Sequence, residues 1–477
     1  MKDSFTHFKL DDKIMKSIKE LGFKKPTPIQ NKVIPHLLLS NQDLIATAQT
    51  GTGKTAAFGL PLLQRTDTYS NKIQTLILCP TRELCLQIGK DLSTYSKYLK
   101  NINILSVYGG AKIDKQIRSL KKGPQIIVGT PGRTKDLIKR KKLFLKNIKQ
   151  LVLDESDEML SMGFKDDLEF IIKSASKEKQ ILLFSATMNS KVNAVTKKYM
   201  KNPLEISVAS VNRAAENVDH LFYVVQARDR YEVVKRVADM NPNIYGIVFC
   251  RTRRETKEVA NKLMNDHYNA DTIHGDLTQN ERDDVMRRFR IRQLQILVAT
   301  DVAARGLDVE ELTHVINYNL PDDDEIYVHR SGRTGRAGKN GISIAIIHGR
   351  EHRRIKEIEQ KSGISFKRQN VPNGLEICKK RLYTLIDKIE KVKVNEDQIE
   401  QFLPYIYDKL NWLDREQLIK HFVSTEFNRY LSYYRDARDI NIESYSREKV
   451  RRKKPKRKRR KFFGSKKNRK NRRRKSS

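Results

Sequence analysis

Short apolar runs alternate with longer amphipathic stretches between residue 25 and about residue 365. A first series comprises DLIATA, TLILCP, QIIVGT, LVLDES and ILLFSAT, and a second comprises GIVFC, QILVAT and HVINYN. Runs of this length, each followed by a helical stretch, are typical of parallel sheets flanked by helices. The pattern predicts an α/β protein with two parallel-sheet domains, at 25–206 and 218–365, joined by a polar linker at 207–217.

Beyond residue 365 the alternation gives way to helical periodicity. The apolar positions at helical spacing are Leu375, Leu382, Leu385, Ile389 and Val392, then Phe402, Ile406, Leu410, Trp412 and Leu413. We expect a helical accessory region at 366–446 whose apolar stripe is plain core. The alternative is a docking or dimerisation element.

The net charge points to a polyanionic partner. The 477 residues include 95 Lys and Arg against 57 Asp and Glu, a formal charge of +38. Half of this surplus lies in 447–477, where 20 basic residues accompany one acidic residue. Such a stretch cannot bury a core, and we expect a disordered basic tail. The surplus favours nucleic acid over a small acidic metabolite as partner.

Membrane insertion, secretion and cysteine-based metal binding are not expected. The chain has no run of about 20 apolar residues, the length that a membrane helix needs. Its first residues lack the apolar stretch of a signal peptide, so we expect a cytoplasmic protein. Cys79, Cys85, Cys250 and Cys378 lack the spacing of a zinc site, and we expect buried thiols.

The segment AQTGTGKT at 48–55 follows an apolar run and precedes a helical stretch. Gly51 and Gly53 let the backbone curl so that its N–H groups converge on phosphate oxygens. Lys54 is expected to reach the outer phosphates, and Thr55 to offer its hydroxyl to Mg²⁺. The strict phosphate-loop pattern starts with Gly, where this chain has Ala48. A chance glycine-rich turn is the alternative, and the strand–loop–helix context argues against it.

Two carboxylates, Asp154 and Glu155, end the apolar run LVL. Ligands of open α/β sheets bind at the carboxyl ends of strands. Asp154 can organise Mg²⁺, and Glu155 can polarise a water for attack on a γ-phosphoryl group. Alone, the pair would more often be an acidic loop, but the phosphate loop upstream favours an NTPase.

The second domain carries HRSGRTGRAG at 329–338, in which Arg330, Arg333 and Arg336 are spaced by three. An arginine from a second domain can stabilise the charge that develops in phosphoryl transfer. The alternative is a solvated basic turn, but the interleaved glycines favour a backbone fitted closely to a phosphate.

Together these motifs resemble the DEAD-box ATP-dependent RNA helicases of superfamily two, in their bacterial type with a basic C-terminal extension. The resemblance covers about residues 5–345. Its blocks are GFKKPTPIQ with Phe5 upstream, AQTGTGKT, PTREL, Gly109-Gly110, TPGR, DESD, SAT, VFCRTR, HGDLTQNER, ATDVAARGLD and HRSGRTGRAG. It implies two RecA-like domains with a cleft between them, and residues 1–24 as the N-terminal segment of the Q-motif region. The family's motif has Ala third, where this chain has Ser156, and we expect activity to survive.

The resemblance implies roles around ATP and Mg²⁺. Gln30 would read the adenine edge, Phe23 would pack near the base, and Asp308 would contact the ribose. The expected phosphate and metal set is Ala48, Gln49, Thr50, Gly51, Thr52, Gly53, Lys54, Thr55 and Asp154.

The catalytic and coupling roles follow from the same resemblance. Glu155 would be the general base, and Arg333 and Arg336 would meet the γ-phosphate, Arg336 as the arginine finger. The coupling set would be Ser185 and Thr187, with Asp157 and His329 across the cleft.

The RNA side is implied in the same way. The expected contacts are Thr81, Arg82, Gly110, Thr130, Arg133, Arg251, Gly275 and Thr300. Glycines, hydroxyls and arginines suit sugar–phosphate contacts and carry little base information, so sequence-independent binding is expected. The resemblance also makes ribosomal or RNA-decay particles candidate partners.

ATP and RNA would each bind across both domains, so each should favour closure and strengthen binding of the other. Closure would bend one strand and part a few base pairs locally. The basic tail would act as a salt-sensitive tether. Alternatives are a tail-driven RNA chaperone with a vestigial ATPase, a DNA helicase of the same superfamily, and a tail that serves as a nuclear-localisation signal.

Overall fold

Two seven-stranded parallel sheets organise the computed structural model, which describes residues 4–48, 51–208, 217–304, 309, 311–335 and 340–442. The first sheet contains β1 Leu44–Thr47, β2 Thr75–Leu78, β3 Ile104–Val107, β4 Ile126–Gly129, β5 Gln150–Leu153, β6 Gln180–Ser185 and β7 Leu204–Ser207. Its strand order is β3-β4-β2-β5-β6-β1-β7.

Helices surround this first sheet. They are α1 Asp12–Glu20, α2 Pro28–Leu39, α3 Lys54–Arg65, α4 Arg82–Tyr95, α5 Ile113–Leu120, α6 Pro131–Lys139, α7 Ser156–Ser161, α8 Lys165–Ser174 and α9 Ser190–Tyr199, after a 3₁₀ helix at Phe5–Phe8. Alternate strand residues enter different cores: Val152 packs in one cluster, and Leu151 and Leu153 in the other. Burial on both faces explains the nearly unbroken apolar runs. Phe5 is buried in the first of these cores.

The second sheet contains β8 Val218–Val224, β9 Gly246–Phe249, β10 Ala270–Ile273, β11 Ile296–Ala299, β12 His314–Asn317, β13 Gly341–Ile347 and β14 Phe366–Arg368. Its order is β10-β11-β9-β12-β13-β8-β14. Its helices are α10 Arg230–Met240, α11 Arg253–Asn265, α12 Gln279–Arg290, α13 Asp301–Ala304, α14 Asp324–Ser331 and α15 His352–Ser362, with 3₁₀ turns at Ala227–Asp229 and Gly349–Glu351.

The predicted fold class of two tandem parallel-sheet domains is confirmed. The second sheet nevertheless continues past the expected boundary at 365, because β14 pairs in parallel with β8. Gly363, at φ 67°, ends α15 in a left-handed cap and returns the chain to the sheet edge. The apolar pattern did not predict strands β3 and β10, because both are short edge strands interrupted by a polar residue, Ser106 and Asp271 respectively.

The accessory region is helical, with α16 Gly374–Lys391, α17 Glu396–Ile399, a 3₁₀ turn at Glu400–Phe402, α18 Leu403–Leu410 and α19 Arg415–Tyr434. The expectation that its apolar stripe is plain core is wrong. Leu375 and Trp412 are 66% and 69% exposed. Also exposed are Ile389, Val392, Phe402, Ile406 and Leu410. Of the predicted positions, Leu382 does pack against the buried cluster of this region. The buried positions of α16 are instead Ile377 and Cys378, which pack against Phe427 and Tyr434, so most of the predicted stripe faces outward.

Polar contacts fasten these helices to the second domain. Asp239 of α10 is 2% exposed and accepts hydrogen bonds from the hydroxyls of Tyr268 at 2.6 Å and Tyr434 at 2.5 Å. The Arg381 Nη2 atom of α16 donates to the same carboxylate at 3.0 Å. Burial and the charge of Asp239 raise the pKa of Tyr434, which therefore stays a proton donor.

The predicted linker core at 209–216 and the basic tail at 447–477 lie outside the described residues. All four cysteines are buried. Within the described ranges, no helix has both the length and the apolar character needed to cross a bilayer.

Candidate active site

The strand register brings three motifs to one edge of the first sheet. Thr47 of β1 lies opposite Ser185 of β6, and Leu153 of β5 lies opposite Leu183 of β6. The phosphate loop after Thr47, the DESD segment after Leu153 and the SAT segment from Ser185 therefore leave the sheet side by side. The carboxyl edge of an open α/β sheet is where ligands bind.

The phosphate loop curls at its glycines. Gly51 and Gly53 have φ of 83° and 87°, in the left-handed region that glycine adopts without a steric penalty. Lys54 is buried, and its Nζ donates to the carbonyl of Ala48 at 3.0 Å. The side chain of Lys54, the first residue of α3, therefore extends back over the loop that precedes this helix. The predicted residues Gln49 and Thr50 lie outside the described residues, and Thr52 and Thr55 lie at the loop end and in α3.

Gln30 connects the start of α2 to this loop. It forms a capping box with Thr27, whose backbone N–H donates to Gln30 Oε1 at 2.9 Å. Its Nε2 donates to the carbonyl of Gly53 at 3.1 Å. Each end of the amide keeps one further hydrogen-bonding position. Phe23 packs between the rings of Phe5 and Tyr95, with centroids 5.9 and 6.2 Å away.

The DESD segment holds its carboxylates in two environments. Asp154 is buried, and burial, with the charge of Glu155, raises the pKa of Asp154 to about 7 against the opposing pull of Lys54. Glu155 caps α7 with φ 49° and ψ 50°, a left-handed conformation that is uncommon for a residue with a side chain. The hydroxyl of buried Ser156 donates to the carbonyl of Phe184 at 3.3 Å, so this departure from the family motif leaves a satisfied polar group.

Asp157 joins DESD to SAT within the first domain. Its Oδ2 accepts from the backbone N–H of Ala186 at 3.2 Å, and from the N–H and hydroxyl of Thr187 at 3.0 and 3.1 Å. Ser185 Oγ donates to the carbonyl of Thr187 at 2.7 Å. Three of the predicted coupling residues therefore form one hydrogen-bonded cluster.

Helix α14 of the second domain faces this cluster. His329 Nδ1 lies 2.6 Å from Glu158 Oε1. Thr187 Oγ1 lies 3.2 Å from Glu325 Oε2, so its single proton is shared between the carboxylates of Asp157 and Glu325. The histidine therefore hydrogen-bonds one residue beyond the predicted Asp157. Burial alone would lower the pKa of His329, but the hydrogen bond and charge of Glu158 hold it above its ordinary value.

A pocket between the domains collects groups from both. It is lined by Lys54, Glu155, Asp157, Glu158, Ala186, His329 and Arg333. Arg330 has a structural place instead, because its guanidinium pairs with Asp301 at 2.5 and 2.8 Å. Asp308 and Arg336, predicted for the ribose and the γ-phosphate, lie outside the described residues.

The predicted RNA residues follow the carboxyl ends of strands in both domains. Thr81 and Thr130 are the N-caps of α4 and α6. Arg133 donates to the carbonyl of Ala111 at 3.2 Å and to Gln116 Oε1 at 2.9 Å. Gly110, at φ 83°, follows β3, and Arg82 opens α4.

In the second domain, Arg251 follows β9 and pairs with Asp322 at 2.9 Å. Thr300 directly follows β11, and its carbonyl accepts from the N–H groups of Ala303 and Ala304 at 3.1 and 3.0 Å. Gly275 lies beside the guanidinium of Arg253: a Cβ placed there would be 3.3 Å from Arg253 Cζ.

Sequence reasoning missed the partners across the cleft. Glu158, Glu325 and Asp283 were not singled out, although all three contact predicted site residues. One signal was available: Glu325 and His329 are four residues apart, so they lie on the same face of a helix.

Comparisons with known proteins agree with this geometry. Residues 27–195 match the family model described as DEAD/DEAH box helicase, and 229–338 match the helicase conserved C-terminal domain. Residues 377–435 match the helical domain of a probable ATP-dependent RNA helicase.

The relatives point the same way. The chain is 44% identical over 410 residues to the ATP-dependent RNA helicase CshA of Listeria monocytogenes, covering 86% of this chain and 78% of the relative. CshA of Bacillus cereus is 43% identical over 394 residues, covering 83% and 75%. The solved structure of S. cerevisiae Dbp5 bound to RNA and ADP BeF3 is 31% identical, with a TM-score of 0.71, and the match covers 80% of this chain and 100% of that one.

Two RecA-like domains with a phosphate loop and paired carboxylates define a two-domain, ATP-driven nucleic-acid motor. The chain belongs to the DEAD-box ATP-dependent RNA helicases, the family that hydrolyses ATP in an RNA-stimulated fashion. The predicted family, fold class and enzyme class are thereby confirmed.

Proposed function

We propose that this helicase couples ATP binding and hydrolysis in the cleft between its domains to local, non-sequence-specific separation of RNA duplexes or remodelling of RNA–protein complexes. One observation carries the proposal: Thr187 contacts Asp157 of its own domain and Glu325 of the other. A conformational change in the DESD segment can therefore be transmitted to the second domain through the side chain of Thr187.

The ATP-side roles follow from placement. Lys54 neutralises phosphate charge, and Glu155 accepts a proton from the attacking water. Arg333 of the second domain lines the same pocket, which supports a role at the γ-phosphate. Because Gln30 hydrogen-bonds the carbonyl of Gly53, adenine binding at Gln30 would affect the conformation of the phosphate loop. Asp308 for the ribose and Arg336 as the finger remain proposals from the family resemblance.

A magnesium ion suits this edge of the sheet. Thr55 and Asp154 provide the oxygen donors that Mg²⁺ prefers. Asp154 is buried next to Glu155, so a divalent cation would offset charge that burial otherwise disfavours. When bound, Mg²⁺ would neutralise charge on the phosphates, while the residues of the chain orient the nucleotide and the water.

The RNA side supports backbone recognition without a base code. Its residues are cap threonines, a left-handed glycine and arginines, which suit phosphates and 2′-hydroxyls. We propose RNA in the cytoplasm as the substrate, with ribosomal or RNA-decay particles as its setting and the basic tail as a tether.

Steady-state ATP hydrolysis without nucleic acid, with single-stranded RNA and with matched DNA tests this proposal. We expect strong stimulation by RNA alone, with Glu155→Gln reducing turnover by roughly a hundredfold or more. The exposed Glu178→Gln variant is the charge-matched control. Equal stimulation by DNA would favour a DNA helicase. Weak turnover with tight RNA binding, lost on removal of 447–477, would favour a tail-driven chaperone.

A homodimer through 366–446 is a second proposal, and the exposed apolar side chains of this region support it. Leu375, Phe402 and Trp412 are each more than half exposed, although isolated domains rarely leave large apolar patches open. Native mass of the full chain and of the Phe402→Ser/Trp412→Ser variant would test it. A monomer at micromolar concentration in both would contradict it.

A further inference from the structure

The RNA side of the first domain lies against helix α12 of the second. Arg82 Nη2 donates to Asp283 Oδ2 at 2.9 Å. The neighbouring residues Glu83 and Arg282 form a second ion pair in which the second domain supplies the arginine: Arg282 Nη2 donates to Glu83 Oε1 at 3.2 Å. Two adjacent ion pairs thus cross between the domains with their charges exchanged.

Asp283 is held in this position by its own helix. Gln279 Nε2, one turn earlier, donates to Asp283 Oδ1 at 2.9 Å. The same glutamine covers Gly110: a Cβ placed on Gly110 would lie 3.4 Å from Gln279 Oε1. One face of α12 therefore covers two of the residues proposed to contact RNA.

The guanidinium of Arg82 has hydrogen-bond donors that the carboxylate of Asp283 does not use. Its guanidinium lies 4.8 Å from the centroid of the Tyr108 ring, and its side chain is only 16% exposed. Nε and Nη1 are buried and have no hydrogen-bond partner among the described residues. Asp283 is 54% exposed, so the acid can leave for water more readily than the arginine.

We propose that Asp283 sets the RNA affinity of this helicase by occupying Arg82 in place of an RNA phosphate. This inference rests on the proposed RNA contact of Arg82. A carboxylate and a phosphodiester each carry one charge on two free oxygens, but Asp283 Oδ1 already accepts from Gln279. A phosphodiester has both oxygens available, so it can replace the carboxylate and also engage the unused donors of the guanidinium. RNA entry then exchanges one anion for another at a preformed cation.

The test compares Asp283→Asn with Asp284→Asn in the full-length protein. Both variants remove one negative charge from α12. Asp284 pairs with Arg287 and Arg288 of its own helix, each at 2.8 Å, instead of reaching the first domain. The measurements are RNA affinity by fluorescence anisotropy without nucleotide and the RNA concentration for half-maximal ATPase activity.

We expect Asp283→Asn to bind RNA roughly three- to fivefold more tightly, the range for loss of one exposed competing ion pair. Turnover at saturating RNA should stay unchanged, and Asp284→Asn should match the unaltered protein. An equal gain in both variants, no change in Asp283→Asn, or weaker RNA binding by it would each overturn the proposal. If RNA fails to stimulate the unaltered protein, the proposed function fails instead, while the anisotropy comparison still tests the exchange of anions.

Discussion

His329 and Glu158 form a hydrogen-bonded acid–base pair that joins the two domains, with Nδ1 and Oε1 2.6 Å apart. Both residues line the pocket that Lys54 and Glu155 also line. Glu158 comes directly after the DESD segment, so the second domain is attached to the segment that carries the proposed general base.

This pair should make stability depend on pH above neutrality. Glu158, with Asp157 and Glu155 behind it, raises the pKa of His329 in the folded protein above its ordinary value of 6.5. A raised folded-state pKa contributes stability that is complete below the unfolded-state pKa and is lost as pH rises through the folded-state pKa. The free energy of unfolding should therefore fall more as the pH rises above 6.5 in the unaltered protein than in Glu158→Gln. Parallel pH profiles for the two proteins would contradict this.

Gln30→Ala should weaken ATP binding more than it slows turnover. The substitution removes the hydrogen bonds to Thr27 and Gly53 and leaves the loop carbonyl without its donor. Loss of one such buried bond costs about 1–2 kcal/mol, so we expect the KM for ATP to rise roughly tenfold. Gln30→Glu keeps the bond to the Thr27 N–H but cannot donate to Gly53, and it should behave like Gln30→Ala. A normal KM in Gln30→Glu would show that the link to Gly53 carries no nucleotide affinity.

Asp239→Ala should release the accessory helices from the second domain. Removing the carboxylate leaves Tyr268, Tyr434 and Arg381 without their shared acceptor. Breaking a buried charged contact costs about 3–5 kcal/mol. We expect rapid proteolysis within 374–434, while RNA-stimulated ATP hydrolysis by the two sheet domains is retained.

Asp387→Ala, on an exposed part of α16, is the control for this experiment. Equal resistance to protease in Asp239→Ala and Asp387→Ala would show that apolar packing of Ile377 and Phe427 suffices to hold the helices.

Ser156→Ala should leave ATP hydrolysis unchanged within a factor of about two, because both neighbouring carboxylates keep their places. The lost hydroxyl leaves the carbonyl of Phe184 without one donor, at a cost of about 1 kcal/mol. Thermal unfolding and turnover measured on the same preparation would separate the two effects. A large fall in turnover at unchanged stability would give Ser156 a catalytic role.

Strand runs and motif order predict much of this fold because each depends on local sequence. Buried parallel strands are almost continuously apolar, so β5 and β6 are visible as LVL and ILLFS. Glycine placement predicts the phosphate loop, and Gly51 and Gly53 do adopt left-handed conformations. Each signal lies within a dozen residues of chain.

Contacts between distant segments are not encoded in that way. Spacing along α16 shows its period but not which face meets a neighbour, and so Leu375 was expected in the core although it is exposed. Likewise, Asp283 and Arg82 are 201 residues apart, and nothing near either one indicates the other. Whether His329 hydrogen-bonds Glu158 or Asp157 depends on how the two sheets are placed relative to each other.

At Glu155, the left-handed backbone conformation lowers the stability of the fold, while the carboxylate is needed for the proposed chemistry. A residue with a side chain in this conformation gives up about 1 kcal/mol relative to glycine. Selection of variants by heat resistance alone would therefore favour glycine at 155, where it relaxes the chain and removes the proposed general base. Engineering this enzyme for thermal tolerance requires that turnover be screened together with folding at this position.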